Sequence, residues 1–114
     1  LREENQRDAD RIECVFPHAF IHYENKLRTK QFLELCGSVI HGIDKELMAL
    51  AVDQYHDIVA SAAEIATIAH HRDALPKDSL KEKRNQMIEM LRRSSEQEEL
   101  ALQYIQKAAA SIQI

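Results

Sequence analysis

Residues that end helices or make turns are scarce in this chain, and that scarcity constrains its fold more than any other feature. Only two glycines and two prolines occur among the 114 residues. A β-sheet protein of this length needs several tight turns, which these residue types normally supply. The sequence therefore predicts an all-α fold with long helices and few connections. The length suits a single domain, residues 1–114.

Local signals place the ends of these helices. Pro76 cannot continue a helix, and Ser79 with Glu82 has the spacing of a capping box at a helix start. Asp44 is suited to the N-cap of the preceding helix. Together with apolar periodicity, these signals predict an elongated antiparallel three-helix bundle, either alone or completed by a second chain. The predicted helices cover residues 3–36, 44–74 and 79–112.

The stretch Gly37–Ile43 admits two interpretations. Its apolar residues stay in helical phase with those of the second helix, which favours one continuous helix after a short first helix and a break near residues 25–29. A turn at Gly37–Ile43 instead gives three helices of nearly equal length, as an antiparallel bundle requires. We expect the turn, with Gly42 or Gly37 in a backbone conformation that suits glycine. Pro17 either kinks the first helix or begins it.

Apolar spacing also predicts which faces form the core. On the first helix, the predicted core face consists of Ile12, Phe16, Phe20, Tyr23 and Leu27. Polar residues interrupt the corresponding faces of the other two helices, and with turns near residues 40 and 76 they come to one level. The sequence therefore predicts a buried polar layer formed by Tyr23, Gln54, Ser94 and Glu98. An unpaired buried carboxylate is costly, so Glu98 is expected to be hydrogen-bonded.

The second helix carries more apolar surface than one core face needs. A second stripe lies roughly opposite the first, and Ile21, Phe32, Leu35 and Val39 form a similar surplus on the first helix. Either the second helix is central and covered on both sides by its own chain, or a protein partner covers the stripe. We expect a partner, and the predicted partner-binding residues are Met48, Val52, Tyr55, Val59, Ala63 and Ala66.

The sequence patterns that could indicate metal binding or catalysis are weak. His18 and His22 have a chelating i, i+4 spacing but lie away from the predicted core face, so no metal site or cofactor is expected. No arrangement of a nucleophile with a base stands out, so no catalytic residue is proposed. Cys14 and Cys36 lie among apolar residues without metal-binding spacing, which is typical of reduced thiols and of a cytoplasmic protein.

We therefore expect the function of this chain to be binding rather than catalysis. A net charge of −4 provides no basic surface for nucleic acid, and no apolar run is long enough to span a membrane. The leading hypothesis is a non-enzymatic helical interaction module, an adaptor, scaffold or oligomerisation domain, that binds a protein partner or forms a homo-oligomer. The alternative is a sensor domain that binds a small ligand or metal in the polar layer.

Overall fold

The chain folds as an elongated bundle of three helices. The computed structural model describes residues 2–71 and 74–112, with side chains from residue 18 onwards. Helix α1 comprises Arg2–Val39, α2 comprises Lys45–His70 and α3 comprises Leu80–Ala110, and a short 3-10 helix, Lys77–Ser79, precedes α3. The molecule measures 61 × 19 × 16 Å. The predicted fold is confirmed, although α2 ends four residues earlier than expected.

Helix α2 is the centre of the bundle. Both α1 and α3 pack along α2, whereas α1 and α3 contact each other far less. The side chain of Ile58, midway along α2, is completely buried. Because two helices cover α2, residues on two of its sides are buried in the chain: Met48, Ala51, Tyr55, Ile58, Ala62, Ile65, Ile68 and Ala69.

Among the residues whose side chains are described, the core consists of two apolar clusters along the bundle axis. One cluster, at the end near the α2–α3 connection, consists of Ala19, Ile65, Ile68, Ala69, Leu80, Met87 and Met90. The other, towards the α1–α2 turn, consists of Leu33, Ile43, Met48, Ala51, Tyr55, Ile58, Ala101 and Ala108. The stretch of α3 between the two clusters contains Ser94 and Glu98, where the polar layer is predicted.

The α1–α2 turn lies close to its predicted position. Helix α1 continues through Gly37 to Val39, and Gly42 has a φ of +85°, in the left-handed region. The Asp44 carboxylate accepts a hydrogen bond from the Leu47 amide at 3.1 Å, as expected of the N-cap of α2. The Ser111 hydroxyl accepts another from the Asp44 amide at 3.0 Å, which ties the turn to the end of α3. The alternative with a helix break near residues 25–29 is wrong.

Two local predictions need correction. The capping box at Ser79 does not form, because the Ser79 hydroxyl donates to the Pro76 carbonyl oxygen at 2.8 Å within the short 3-10 helix. On α1, Phe20 is 54% exposed, whereas Ala19 and Leu33 are buried. The core face of α1 is therefore rotated from the predicted one. The side chains of Ile12 and Phe16 lie outside the described residues.

The continuous helix through Pro17 agrees with one long first helix rather than a helix that begins at this proline. Since α1 runs up, α2 down and α3 up, α1 and α3 are parallel. Two contacts confirm this direction: Lys26 meets Glu98 midway along both helices, and the turn after α1 meets Ser111 at the end of α3.

We expect the two glycines to respond to alanine with opposite signs. Gly42→Ala should destabilise the chain by about 1 kcal/mol, because a side chain strains the left-handed backbone although the space around it is open. Gly37→Ala should stabilise it by about 0.5–1 kcal/mol, because alanine favours a helix interior. The added Cβ would meet the Met48 Cβ at 3.5 Å, an ordinary contact. Urea denaturation of both variants measures the two changes, and equal signs would contradict this account of the turn.

Candidate functional site

The polar layer forms around Glu98. One carboxylate oxygen of Glu98 accepts a hydrogen bond from the Lys26 ammonium group. The other accepts a hydrogen bond from the Tyr55 hydroxyl at 2.9 Å. These three residues come from α3, α1 and α2, so the layer joins all three helices at one level. Glu98 is hydrogen-bonded, as the sequence predicts.

The other predicted members of the layer contribute less. Ser94 is buried, at 5% exposure, one helical turn before Glu98. Tyr23 and Gln54 are half-buried. Within the described part of the chain, no hydrogen bond joins either of them to Glu98. Ser94 is therefore buried and Glu98 is half-buried and hydrogen-bonded, while the hydrogen-bond partners of Glu98 differ from those expected.

The sequence does not predict Lys26 and Tyr55 as partners of Glu98, and the reason differs between the two residues. Apolar spacing places Tyr55 in the partner-binding stripe, although its ring is inside the bundle. Lys26 is a residue type typical of surfaces, yet it stands seven residues from both Ala19 and Leu33, on the buried face of α1. A long aliphatic stem lets lysine bury its methylene groups while the ammonium group reaches a carboxylate. That seven-residue spacing is the signal that could identify Lys26 from the sequence.

Burial and hydrogen bonding shift the titration of this cluster. Burial tends to raise the pKa of Glu98, but the hydrogen bonds from Lys26 and Tyr55 outweigh it and leave the pKa below its usual value. Burial and the hydrogen bond to Glu98 raise the pKa of Tyr55 to about 12. Burial and the nearby Lys26 ammonium lower the pKa of His22. The cluster is a charge pair satisfied by its own chain, with no oxygen of Glu98 left unbonded.

The described residues offer no cluster suited to metal. Among residues 18–71 and 74–112, no three His, Cys, Asp or Glu side chains lie close enough together to hold an ion. His18 is exposed, whereas His22 is half-buried beside Lys26. A cation next to His22 opposes the binding of a second positive charge there.

The predicted partner-binding stripe needs a correction at two positions. Met48 and Tyr55 are only 3% and 8% exposed, so they belong to the core of this chain. The physical reason is that α2 is central and α1 covers this side of it. The interpretation that the chain itself covers both sides of α2 is the one that the structure supports for these residues. The four remaining members of the stripe are half-buried: Val52, Val59, Ala63 and Ala66.

Shallow grooves follow the boundary between α1 and α2. Val52 lines one of about 420 Å³ near the α1–α2 turn, together with Leu33 and Gly37. Ala63 and Ala66 line another of about 590 Å³ near the other end of α2, where Phe20 and Tyr23 form the α1 wall. Small side chains on α2 make these grooves.

Seven large exposed apolar side chains of the described residues lie elsewhere, on the side of the bundle shared by α1 and α3. We call it the α1/α3 face, and its exposures range from 43% at Leu91 to 65% at Val39. It consists of Ile21, Phe32, Leu35 and Val39 on α1 and of Ile88, Leu91 and Leu102 on α3.

Helical spacing explains why these residues share one side of the molecule. Leu91 and Leu102 stand seven residues before and four after Glu98, so they lie on the side of α3 from which Glu98 reaches α1. Ile21 and Phe32 stand four residues before and seven after Asn25, an exposed residue one position along α1 from Lys26, so they lie together on the exposed side of α1 that carries Asn25. Because α1 and α3 hardly touch, the chain does not cover these residues.

Comparisons with known proteins give no relative. No family model matches the chain, and neither the curated proteins nor the solved structures include a match. In the described residues, no helix is both long and apolar enough to cross a membrane.

We expect Glu98→Leu to destabilise the chain by about 1–2 kcal/mol, because the Tyr55 hydroxyl and the Lys26 ammonium lose their acceptor. Replacing all three groups by apolar ones, in Lys26→Met/Tyr55→Phe/Glu98→Leu, should recover most of the loss. Chemical denaturation measures both. If Glu98→Leu alone is neutral or stabilising, the cluster does not stabilise the bundle.

Acid should destabilise the chain through two groups. The lowered pKa of His22 means that the unfolded chain takes up this proton first, so stability falls as the pH drops below the ordinary value of 6.5. The lowered pKa of Glu98 likewise stabilises the folded chain above about pH 4.5, the ordinary pKa of a glutamate. This stability is lost as the pH falls through the lowered pKa that Glu98 has in the folded chain. His22→Gln should reduce the first loss and Glu98→Gln the second in thermal denaturation across this range. Parallel pH profiles for wild type and both variants would contradict these assignments.

Proposed function

We propose that this chain is a non-enzymatic helical interaction module, an adaptor, scaffold or oligomerisation domain, that binds protein through the α1/α3 face. The observation that carries the proposal is the exposure of large apolar side chains on one side of the bundle, with Phe32 at 63%. Groups of large exposed apolar side chains on one side of a domain are typical of protein-binding sites. The proposal moves the binding surface from α2, where apolar spacing predicts it, to α1 and α3.

The arrangement of the helices supports this choice. A helix in a bundle normally buries one apolar stripe, and α1 already buries Ala19 and Leu33 against α2. Its exposed residues Phe32, Leu35 and Val39 follow one another at intervals of three and four, which is the spacing of a seam for a further helix. A partner packed on this face would cover residues of both α1 and α3.

Other partners and functions have less support. The net charge of −4 does not favour nucleic acid as the partner. A ligand site in the polar layer is the second hypothesis, but both oxygens of Glu98 are satisfied by Lys26 and Tyr55. A cytoplasmic location is part of the proposal, consistent with the free thiol of Cys36.

A site-specific photocrosslink tests the function. A photoreactive amino acid at position 102 is expected to form a covalent adduct with a protein in the native cells. The matched control is position 100, because Leu100 and Leu102 are both exposed leucines of α3, and two residues place them on opposite sides of the helix. Mass spectrometry then identifies the adduct, whether a second copy or another protein.

An adduct at position 102 but not at position 100 supports binding through the α1/α3 face. No adduct at position 102, or equal adducts at both positions, would contradict it. A second probe at position 32 repeats the test on α1.

A further inference from the structure

We propose that the α1/α3 face binds a second copy of this chain, antiparallel to the first and related to it by a two-fold axis near the Lys26–Glu98 pair. This inference rests on the proposed function and specifies its partner. It comes from the spacing of the exposed residues, which is the same on both helices.

Four of the exposed residues lie at two levels of the bundle. Ile21 and Phe32 are eleven residues apart on α1, and Leu91 and Leu102 are also eleven residues apart on α3. Eleven residues are three turns, so each pair lies on one helix face with a separation of about 16 Å. The face thus carries an upper apolar patch, Ile21 with Leu91, and a lower one, Phe32 with Leu102.

The two patches are nearly equidistant from the charge pair. Lys26 stands five residues after Ile21 and six before Phe32, and Glu98 stands seven after Leu91 and four before Leu102. Because Lys26 contacts Glu98, the midpoints of the two pairs lie at almost the same level. The face therefore carries one apolar patch on each side of the level of the charge pair, and this order is the same in both directions.

A two-fold axis requires such a pattern, because each surface must complement itself. Turning a second copy about an axis near Lys26–Glu98, perpendicular to the helices, places α1 against α1 and α3 against α3 in antiparallel directions. Ile21 then packs on the second copy's Phe32, and Leu91 packs on the second copy's Leu102. The central charge pair is neutral as a whole, so two such pairs approach without net repulsion.

Charge also selects the antiparallel direction. The antiparallel arrangement places Arg28 level with Asn25 of the second copy rather than with another charged residue. On α3, residues 80–95 contain five basic and two acidic residues, and residues 96–110 contain three acidic and one basic. Antiparallel α3 helices bring the basic half of one to the acidic half of the other.

This symmetry distinguishes a second copy from a foreign helix. A foreign helix needs only an apolar stripe, and equal spacing on two separate helices about one central pair gives it no advantage. A second copy needs that equality, because every contact occurs twice. Four exposed apolar side chains per copy would then be covered in one interface.

Sedimentation of the purified chain tests the stoichiometry. We expect the wild-type chain to form a dimer in the high micromolar range and Leu102→Glu to be a monomer, with Leu100→Glu still a dimer as the matched control. Circular dichroism checks that each variant keeps its helices. Phe32→Glu repeats the test on α1, should Leu102→Glu unfold.

A mixing experiment tests the direction. Ile21→Glu and Phe32→Lys should each be monomeric, and an equimolar mixture should form a heterodimer. The physical reason is that the antiparallel arrangement sets the introduced carboxylate of one variant against the introduced ammonium group of the other. Separate monomers in the mixture, together with a dimeric wild type, would overturn the antiparallel arrangement.

A monomeric wild-type chain, or a dimer that Leu100→Glu disrupts and Leu102→Glu does not, would overturn the second-copy proposal. A different result tests the proposed function. A monomeric chain that still gives a photocrosslink to another protein at position 102 keeps the interaction function and loses only the second copy.

Discussion

The packing of α2 between α1 and α3 is the constraint on which the other features of this structure depend. Because α2 is contacted from two sides, it buries Met48 and Tyr55 as well as Ile58. Most of its large apolar side chains therefore pack against α1 and α3. The same arrangement keeps α1 and α3 apart. Their facing sides then remain uncovered, and the apolar surplus appears there rather than on α2.

The Lys26–Glu98–Tyr55 cluster fixes how the three helices align along the axis. Apolar clusters above and below it can accept small shifts of one helix along another, whereas the half-buried Glu98 carboxylate needs its specific donors. Sliding α3 by one turn would separate Glu98 from both Lys26 and Tyr55. The cluster therefore also determines that the exposed residues of α1 and α3 come to the same levels, which gives the α1/α3 face its symmetric pattern.

Features encoded by neighbouring residues could be predicted from the sequence. The Asp44 cap, the positive φ of Gly42 and the three helices follow from local chemistry. Hydrogen bonding of Glu98 follows from the cost of burying a carboxylate. The apolar stripe of α2 is recognisable, but the chain itself covers Met48 and Tyr55, because periodicity reveals how many faces are apolar and does not reveal which element covers each. Ser79 shows the same limit, since its hydroxyl bonds the preceding turn instead of closing a capping box.

Small-angle X-ray scattering of the wild-type chain in solution tests the central claim most directly, because it reports mass and shape together. One copy is 61 Å long and 19 × 16 Å in cross-section. The side-by-side antiparallel pair is expected to have the mass of two chains, a roughly doubled thickness and a length that grows by far less than a second 61 Å. A particle with the mass of one chain, or a pair of doubled length and unchanged thickness, would contradict the account.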